Sequence, residues 1–424
     1  MNQRMPCTGP VPRIACRNRV GVVGALVTIT ALTGCASAPA WRFDSTRERA
    51  LAGAMQAAVT AGDVTGLTVL VTSRDSILFH RTAGRLAPGS AATVGTDAVF
   101  NIASMTKPVT ALAAMMLVED GRLALDAPAS TYLPELVGRG VLLRVDSARR
   151  TVITRPASRE ITVRDLMRHT SGIGYAFSNP ALHDVERFTS IPERDWPLVH
   201  DPGARWTYGM GPSYLGWIVE RIAGMPLESF FRQRIFTPLG MHETSYVLPP
   251  SRASRLMALS DRRGDSLVAR PRPDSVQAEG FGDGNLFSTA PDYARFMQLL
   301  LGRGTWRGTR LVREASIREL MRDQLGALTV LRQPTTDPAL SAPFPDGATR
   351  DGFSLAFQVA RGHPDGRPDG SLSWAGLYNT HLWIDPPNGI GVLVLTQVLP
   401  FHDPRVMDVV RAVEHALYLP LAAH

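Results

Sequence analysis

The spacing of apolar and polar residues changes period several times along the chain, and each change marks an element. Residues 46 to 61 have the spacing of a helix, and "GLTVLVTSRDSILFHRTAGR" from Gly66 reads as two strands around a polar turn. From Ser104 the period is helical again: Val109, Leu112, Met116 and Leu117 share a face, Gly121 stands where a C-terminal cap belongs, and Pro108 comes early enough to be tolerated. Further helices are expected at 162 to 169, where Thr162 and Asp165 resemble a capping box, and at 213 to 223, 226 to 236, 289 to 301 and 313 to 324. The stretch 331 to 352, rich in Pro, Asp, Thr and Gly, reads as a surface loop. The chain then returns to strand: "NTHLWIDPPNGIGVLVLTQV" is two apolar runs joined by Pro-Pro-Asn-Gly, a hairpin signal. A last helix carries Val406, Val409, Val410 and Val413 on one side. Strands at both ends with helices between them imply an α/β fold, its sheet built from both termini and its middle region mostly helical. No repeat and no domain linker interrupts it.

The first residues change the picture of charge and location. Arg4, Arg13, Arg17 and Arg19 precede the apolar run "VGVVGALVTITAL", Val20 to Leu32, which falls short of the roughly 20 residues a spanning helix needs. This reads as an export signal. It closes on Leu32-Thr33-Gly34-Cys35, which resembles the lipobox of bacterial lipoproteins, and Pro39 would hinder an ordinary cleavage after "ASA". The expectation is therefore a signal over residues 1–34, a tether over 35–45 and one domain over 46–420, held by lipid on Cys35 at the periplasmic face of a bacterial membrane. Cys7 and Cys16 leave with the signal, so no intramolecular disulfide can form in the mature chain. The formal charge of +7 falls to +3, 41 basic against 38 acidic residues, once residues 1–34 are removed, which argues against a nucleic-acid partner.

Of the 45 basic residues only one, Lys107, is a lysine. Arginine replaces lysine at little cost on a solvated surface, but it stays protonated at any ordinary pH, whereas a desolvated lysine can shed its proton and act as a base. Ser104 lies three residues before it at the start of a helix, so hydroxyl and amine share a face near the positive end of the helix dipole. A neutral amine within reach of a serine hydroxyl can activate it as a nucleophile. Serine is common enough that a one in sixteen chance, roughly, would put one there, so the spacing alone is weak evidence.

Other stretches carry more weight. "NIASMTKPVTA", "DLMRHTSGI" from Asp165, "RWTYGMGPSYLGWIVERIAG" from Arg205, "GNLFSTAPDYARFMQLLLGRG" from Gly284 and "SWAGLYNTHLWIDP" from Ser373 occur in this order. Together they resemble the serine β-lactamase and penicillin-binding-protein superfamily, in the class C-like branch that includes the family VIII carboxylesterases, over about residues 46 to 420. The resemblance implies the β-lactamase-like fold, no cofactor, and a small-molecule ester, β-lactam or peptidoglycan-like substrate. It implies Ser104 as the acylated nucleophile, Lys107 as its partner, and Tyr208 as a phenolate-like base that hands its proton to the leaving group. It places the oxyanion hole at the amides of Ser104 and Leu377, with Trp374, Ala375, Gly376 and Met210 binding substrate.

Two departures sharpen this. Met210 stands where the tyrosine element of the family carries asparagine, and Trp374-Ala375-Gly376 stands where lactamases carry Lys-Thr-Gly. The lysine of that box helps to hold the substrate carboxylate in lactam-processing relatives, and family VIII esterases resemble this chain in carrying Trp-x-Gly. The sequence therefore points to a carboxylesterase of short-chain esters, with a β-lactamase or D,D-peptidase and a catalytically silent peptidoglycan- or partner-binding protein as rivals. His169 invites a Ser-His-Asp triad but reads better as a histidine hydrogen-bonded at a helix end, since Lys107 already supplies the base. Phe177-Ser178-Asn179 reads as a loop. The histidines are never closer than nine residues apart, and neither a Walker loop nor a Gly-x-Ser-x-Gly elbow occurs.

Overall fold

A computed structural model describes residues 41–271, 276–277, 281–362 and 366–418; Cys35 and the export segment lie outside them. Seven antiparallel strands form the main sheet, in the order Gly352–Phe353, Gln358–Val359, Leu372–Gly376, Thr380–Asp385, Ile390–Leu395, Gly66–Ser73 and Ile77–Gly84. The two ends of the chain meet where Ile390–Leu395 pairs with Gly66–Ser73, Val69 opposite Val394 and Val71 opposite Val392. Both strands are buried along nearly their whole length because both of their faces are covered, and they are mostly apolar, with Thr68, Thr72 and Ser73 the exceptions. Alternation along the strands divides the core. Val69, Val71, Val392 and Val394 pack with Leu51 and Met55 of the first helix, Ser45–Thr60, and with Val410 and Val413 of the last, Pro404–Tyr418. Leu70, Leu393 and Leu395 face the other way, onto Val109, Leu112 and Phe296.

Helix starts follow the residues that cap them. Asp44 accepts the Arg47 N–H at 2.9 Å, and Thr162 and Asp165 form a complete capping box for the short helix Val163–Met167. The expected tether ends in contact with the domain, as the Trp41 indole donates to the Leu417 carbonyl at 3.0 Å. The helix Thr106–Glu119 differs from its one-faced reading: every residue from Thr106 to Leu117 is buried, because it runs through the core between the sheet and the middle region. Three further differences concern the middle region, which is less purely helical than expected. Val141–Asp146 and Thr151–Arg155 form a hairpin, as do Ser260–Arg263 and Ser266–Ala269, and Val99–Asn101 pairs with Phe287–Thr289. The helix expected at 226 to 236 widens into a π-type turn over Arg232–Phe236. Phe177-Ser178-Asn179 is not an open loop: Asn179 caps the helix Pro180–Phe188 by accepting the Ala181 and Leu182 N–H groups at 3.1 and 3.3 Å.

Candidate active site

Ser104 sits in a single 3₁₀ turn, Ala103–Met105, that leads straight into the helix Thr106–Glu119. The turn is set from behind. Ala103, at φ +42°, donates its N–H to the Asn101 side chain at 2.9 Å, and Asn101 is gripped through its backbone by the Gln397 amide at the end of the sheet. An alanine in the left-handed region is uncommon, and here the turn imposes it immediately before the candidate nucleophile.

Three groups converge. Lys107 Nζ lies 3.0 Å from Ser104 Oγ, and the Tyr208 hydroxyl donates to the same Oγ at 2.8 Å. Lys107 Nζ also donates to the Tyr175 hydroxyl at 3.1 Å and to the Asp283 carbonyl at 2.7 Å, with the Asp283 carboxylate 4.0 Å away. Tyr175 in turn donates to that carboxylate. Burial lowers the Lys107 ammonium from its ordinary range to about 8, against the opposing pull of Asp283, so about a tenth is neutral amine at pH 7 and more as pH rises. Burial acts on Tyr208 in the opposite sense and raises its pKa, although the Ser104 hydrogen bond lowers it. Tyr208 therefore rests as a phenol and a donor; the phenolate expected of it has no support in the resting site, because desolvation penalises the anion.

Asp283 reaches this cluster because Gly282 lets its loop approach closely. A Cβ on Gly282 would stand 2.1 Å from the Pro212 carbonyl and 3.0 Å from the Thr110 methyl, and Thr110 Oγ1 fastens the loop by donating to the Gly282 carbonyl at 2.6 Å. Neither Asp283 nor Tyr175 is among the residues singled out from sequence. Both stand just outside the recognisable stretches, Tyr175 two residues after Ile173 and Asp283 one before Gly284.

The strand Leu372–Gly376 closes the other side. Gly376 must be glycine: a Cβ there would meet the Ile102 carbonyl and Thr380 Oγ1, each at 2.3 Å. That close approach brings Trp374, Ala375 and Leu377 to the cavity of about 270 Å³ that Ser104, Tyr175, Tyr208 and Asp283 also line. Gly376 itself is spent on the backbone contact and does not line the cavity, nor does Met210, which is buried in the core at the start of the helix Gly211–Ala223. Arg367 and Arg411 line a remoter part, each with a carboxylate partner: Glu414 at 3.0 Å and Asp346 at 3.6 Å. His169 follows the helix Val163–Met167 at φ +60°, and among the described residues packing, not the expected hydrogen bond, holds its ring. Its ring centroid lies 5.0 Å from that of Tyr208, 5.2 Å from Phe353 and 6.1 Å from Trp374, and burial lowers its pKa well below the usual histidine range. Among the described residues no group of three or more His, Cys, Asp or Glu side chains could hold a metal ion.

A serine hydroxyl touched by a poised amine and by a phenol, beside a cavity rich in aromatic side chains, is equipped for acyl transfer. Residues 51–417 match the Beta-lactamase family. The chain belongs to that family. This β-lactamase-family protein is accordingly an enzyme of the hydrolase class, with the α/β fold of its relatives. It is 35% identical to protein Rv1367c of Mycobacterium tuberculosis over 80% of this chain and 87% of that one. It is 27% identical to the lovastatin esterase of Penicillium rubens over 87% of this chain and 98% of the other. A mutant of the simvastatin synthase of Aspergillus terreus is similar in structure, with a TM-score of 0.74 at 26% identity, over 89% of this chain and 98% of that chain.

Proposed function

We propose that the protein is a carboxylesterase that acts on short-chain esters through an acyl-enzyme at Ser104. The observation that carries this reading is the convergence of Lys107 and Tyr208 on Ser104 Oγ, at 3.0 and 2.8 Å. The neutral Lys107 amine takes the proton as Oγ attacks the ester carbonyl, and the amides of Ser104 and Leu377 hold the oxyanion. The Tyr208 phenol gives its proton to the departing alcohol and recovers one from Lys107; water then attacks the acyl-enzyme and releases the acid. Trp374 favours esters over lactams. A bicyclic lactam brings a carboxylate that must lose water, Trp374 offers it no cation, and Arg367 and Arg411 already hold carboxylates of their own. Transfer of the acyl group to an alcohol in place of water is a second reading, favoured by the likeness to the simvastatin synthase.

The test is a direct competition of substrates. We expect kcat/KM for p-nitrophenyl butyrate to exceed that for benzylpenicillin by at least about a hundredfold, roughly 2.7 kcal/mol of transition-state stabilisation. Intact-mass spectrometry should show a fluorophosphonate adduct on Ser104 that Ser104→Ala abolishes. Comparable efficiency on the two substrates would make the enzyme a lactamase. We also assign Cys35 as the lipidated residue of an exported, membrane-held protein, on the strength of Leu32-Thr33-Gly34-Cys35. Cys35→Ser should move the protein out of the membrane fraction, and unchanged fractionation would end that assignment.

A further inference from the structure

The cavity that opens on Ser104 continues past the nucleophile. On the outer edge of the Leu372–Gly376 strand, Gln358–Val359 pairs with Ser373 and Leu372 alone, so among the described residues that edge has no strand partner beyond Ser373. Around that free edge the cavity gains the opposite face of the sheet. Ser373 lies opposite Trp383 and Ala375 opposite His381, so these four side chains share one face, and all four line the cavity together with Met407 and Val410 of the last helix.

This rear arm has a distinctive chemistry. His381 is only 6% exposed, and its Nε2 is buried with no hydrogen-bond partner among the described residues. Burial, and then the charges of His402 and Arg367, push its pKa down to about 3, so the ring is a neutral imidazole. A buried polar atom left unpaired is costly and calls for an explanation. The charged groups nearby do not supply one: Arg367 is engaged by Glu414 at 3.0 Å, and Arg411 by Asp408 at 2.7 Å and Asp346 at 3.6 Å, so each guanidinium already has a carboxylate partner. Trp383, Phe401, Met407 and Val410 give the arm apolar walls, beside the Ser373 hydroxyl and the paired Arg367 and Arg411.

We propose that the rear arm is a subsite for the part of the ester remote from the reacting carbonyl, and that it selects an apolar chain bearing a neutral hydroxyl, which pairs with His381 Nε2. A hydroxyl suits either tautomer, since it donates to a bare nitrogen and accepts from an N–H. The proposal deepens the esterase reading and rests on it, so its test is a binding measurement that needs no turnover. In the unreactive Ser104→Ala protein, methyl ω-hydroxyalkanoates of four to eight carbons are titrated against the parent methyl alkanoates. At one chain length the hydroxy ester should bind at least about threefold tighter, and in Ser104→Ala/His381→Leu the order should reverse, since the hydroxyl then loses water for nothing. The His381 ring nitrogens should shift in the ¹⁵N spectrum on adding the hydroxy ester, a readout that survives even if the leucine variant fails to fold. Tighter binding of the parent ester at every length, a preference that persists without His381, or an unmoved His381 spectrum would each overturn the subsite. Turnover of p-nitrophenyl acetate by the wild-type enzyme reports separately on the esterase reading.

Discussion

Lys107 and Asp165 are both shut away from water, at 3% and 0% exposure, but the partners that meet them differ in kind. Burial alone would raise the Asp165 pKa, yet hydrogen bonds from Arg159, Thr170 and Thr162 outweigh it and hold the carboxyl at about 2. Arg159 reaches it at 2.6 and 3.1 Å, Arg168 at 3.1 Å, and Thr170 Oγ1 at 2.7 Å. Lys107 meets a hydroxyl, a phenol and a carbonyl, and its one carboxylate neighbour stays 4.0 Å away. Its charge is left partly uncompensated, and its pKa falls to about 8. Burial is common to both sites. What differs is whether the charged form finds charged hydrogen-bond partners, and that difference separates a fixed structural ion from a group able to exchange a proton.

The sharpest way to break the contrast is Lys107→Arg. A guanidinium keeps the charge and the length but cannot become a base, so kcat/KM for p-nitrophenyl butyrate should fall at least about a thousandfold, roughly 4 kcal/mol. Activity within about tenfold of wild type would reduce Lys107 to a fixed charge like Asp165. Asp165→Ala should act on stability instead. It removes the carboxylate that Arg159 and Arg168 share, and because both guanidiniums are partly exposed the cost sits at the low end for a broken buried pair, about 3 kcal/mol by urea denaturation. The sign with pH follows from the depressed pKa. The Asp165 contribution is complete above the unfolded carboxylate range and fades as pH falls toward about 2, so the stability gap between wild type and variant should close on acidification. A gap independent of pH would mean that packing, and not the ion, is what the alanine lost.

The smallest effect sharpens the comparison most. The rate of ester hydrolysis should rise with pH through a midpoint near about 8 as Lys107 loses its proton. The Asp283 carboxylate favours the ammonium, so Asp283→Asn should move that midpoint to lower pH and leave the plateau within severalfold of wild type. A midpoint that stays in place, or moves up, would show that Asp283 serves the Tyr175 contact alone.

Much of this was legible in the residues. The hairpin around Pro386 to Gly389, the valines of the last helix and the Thr162–Asp165 capping box are local signals, set by turn chemistry and periodicity within a few residues. Ser104 and Lys107 were legible for the same reason, since one turn of helix fixes their separation. Tyr175 and Asp283 were not, because a contact over 108 residues leaves no period to read. The hairpin at 141 to 155 is not legible either, because VLLRVD and TVITR do not alternate strictly between apolar and polar, and the all-round burial of the helix Thr106–Glu119 depends on what surrounds it.

The sequence by itself determined the terminal strands, most of the helices, the family and the pairing of a serine with the only lysine, since each rests on neighbours in the chain or on ordered motifs. Only the tertiary structure decided the state of that lysine and the identity of its partners. It also decided that Met210 and Gly376 serve packing away from the cavity wall, and that His381 Nε2 has no partner among the described residues. The physical reason is that desolvation and hydrogen-bond satisfaction depend on every group within a few ångströms, and most of those groups come from distant parts of the chain.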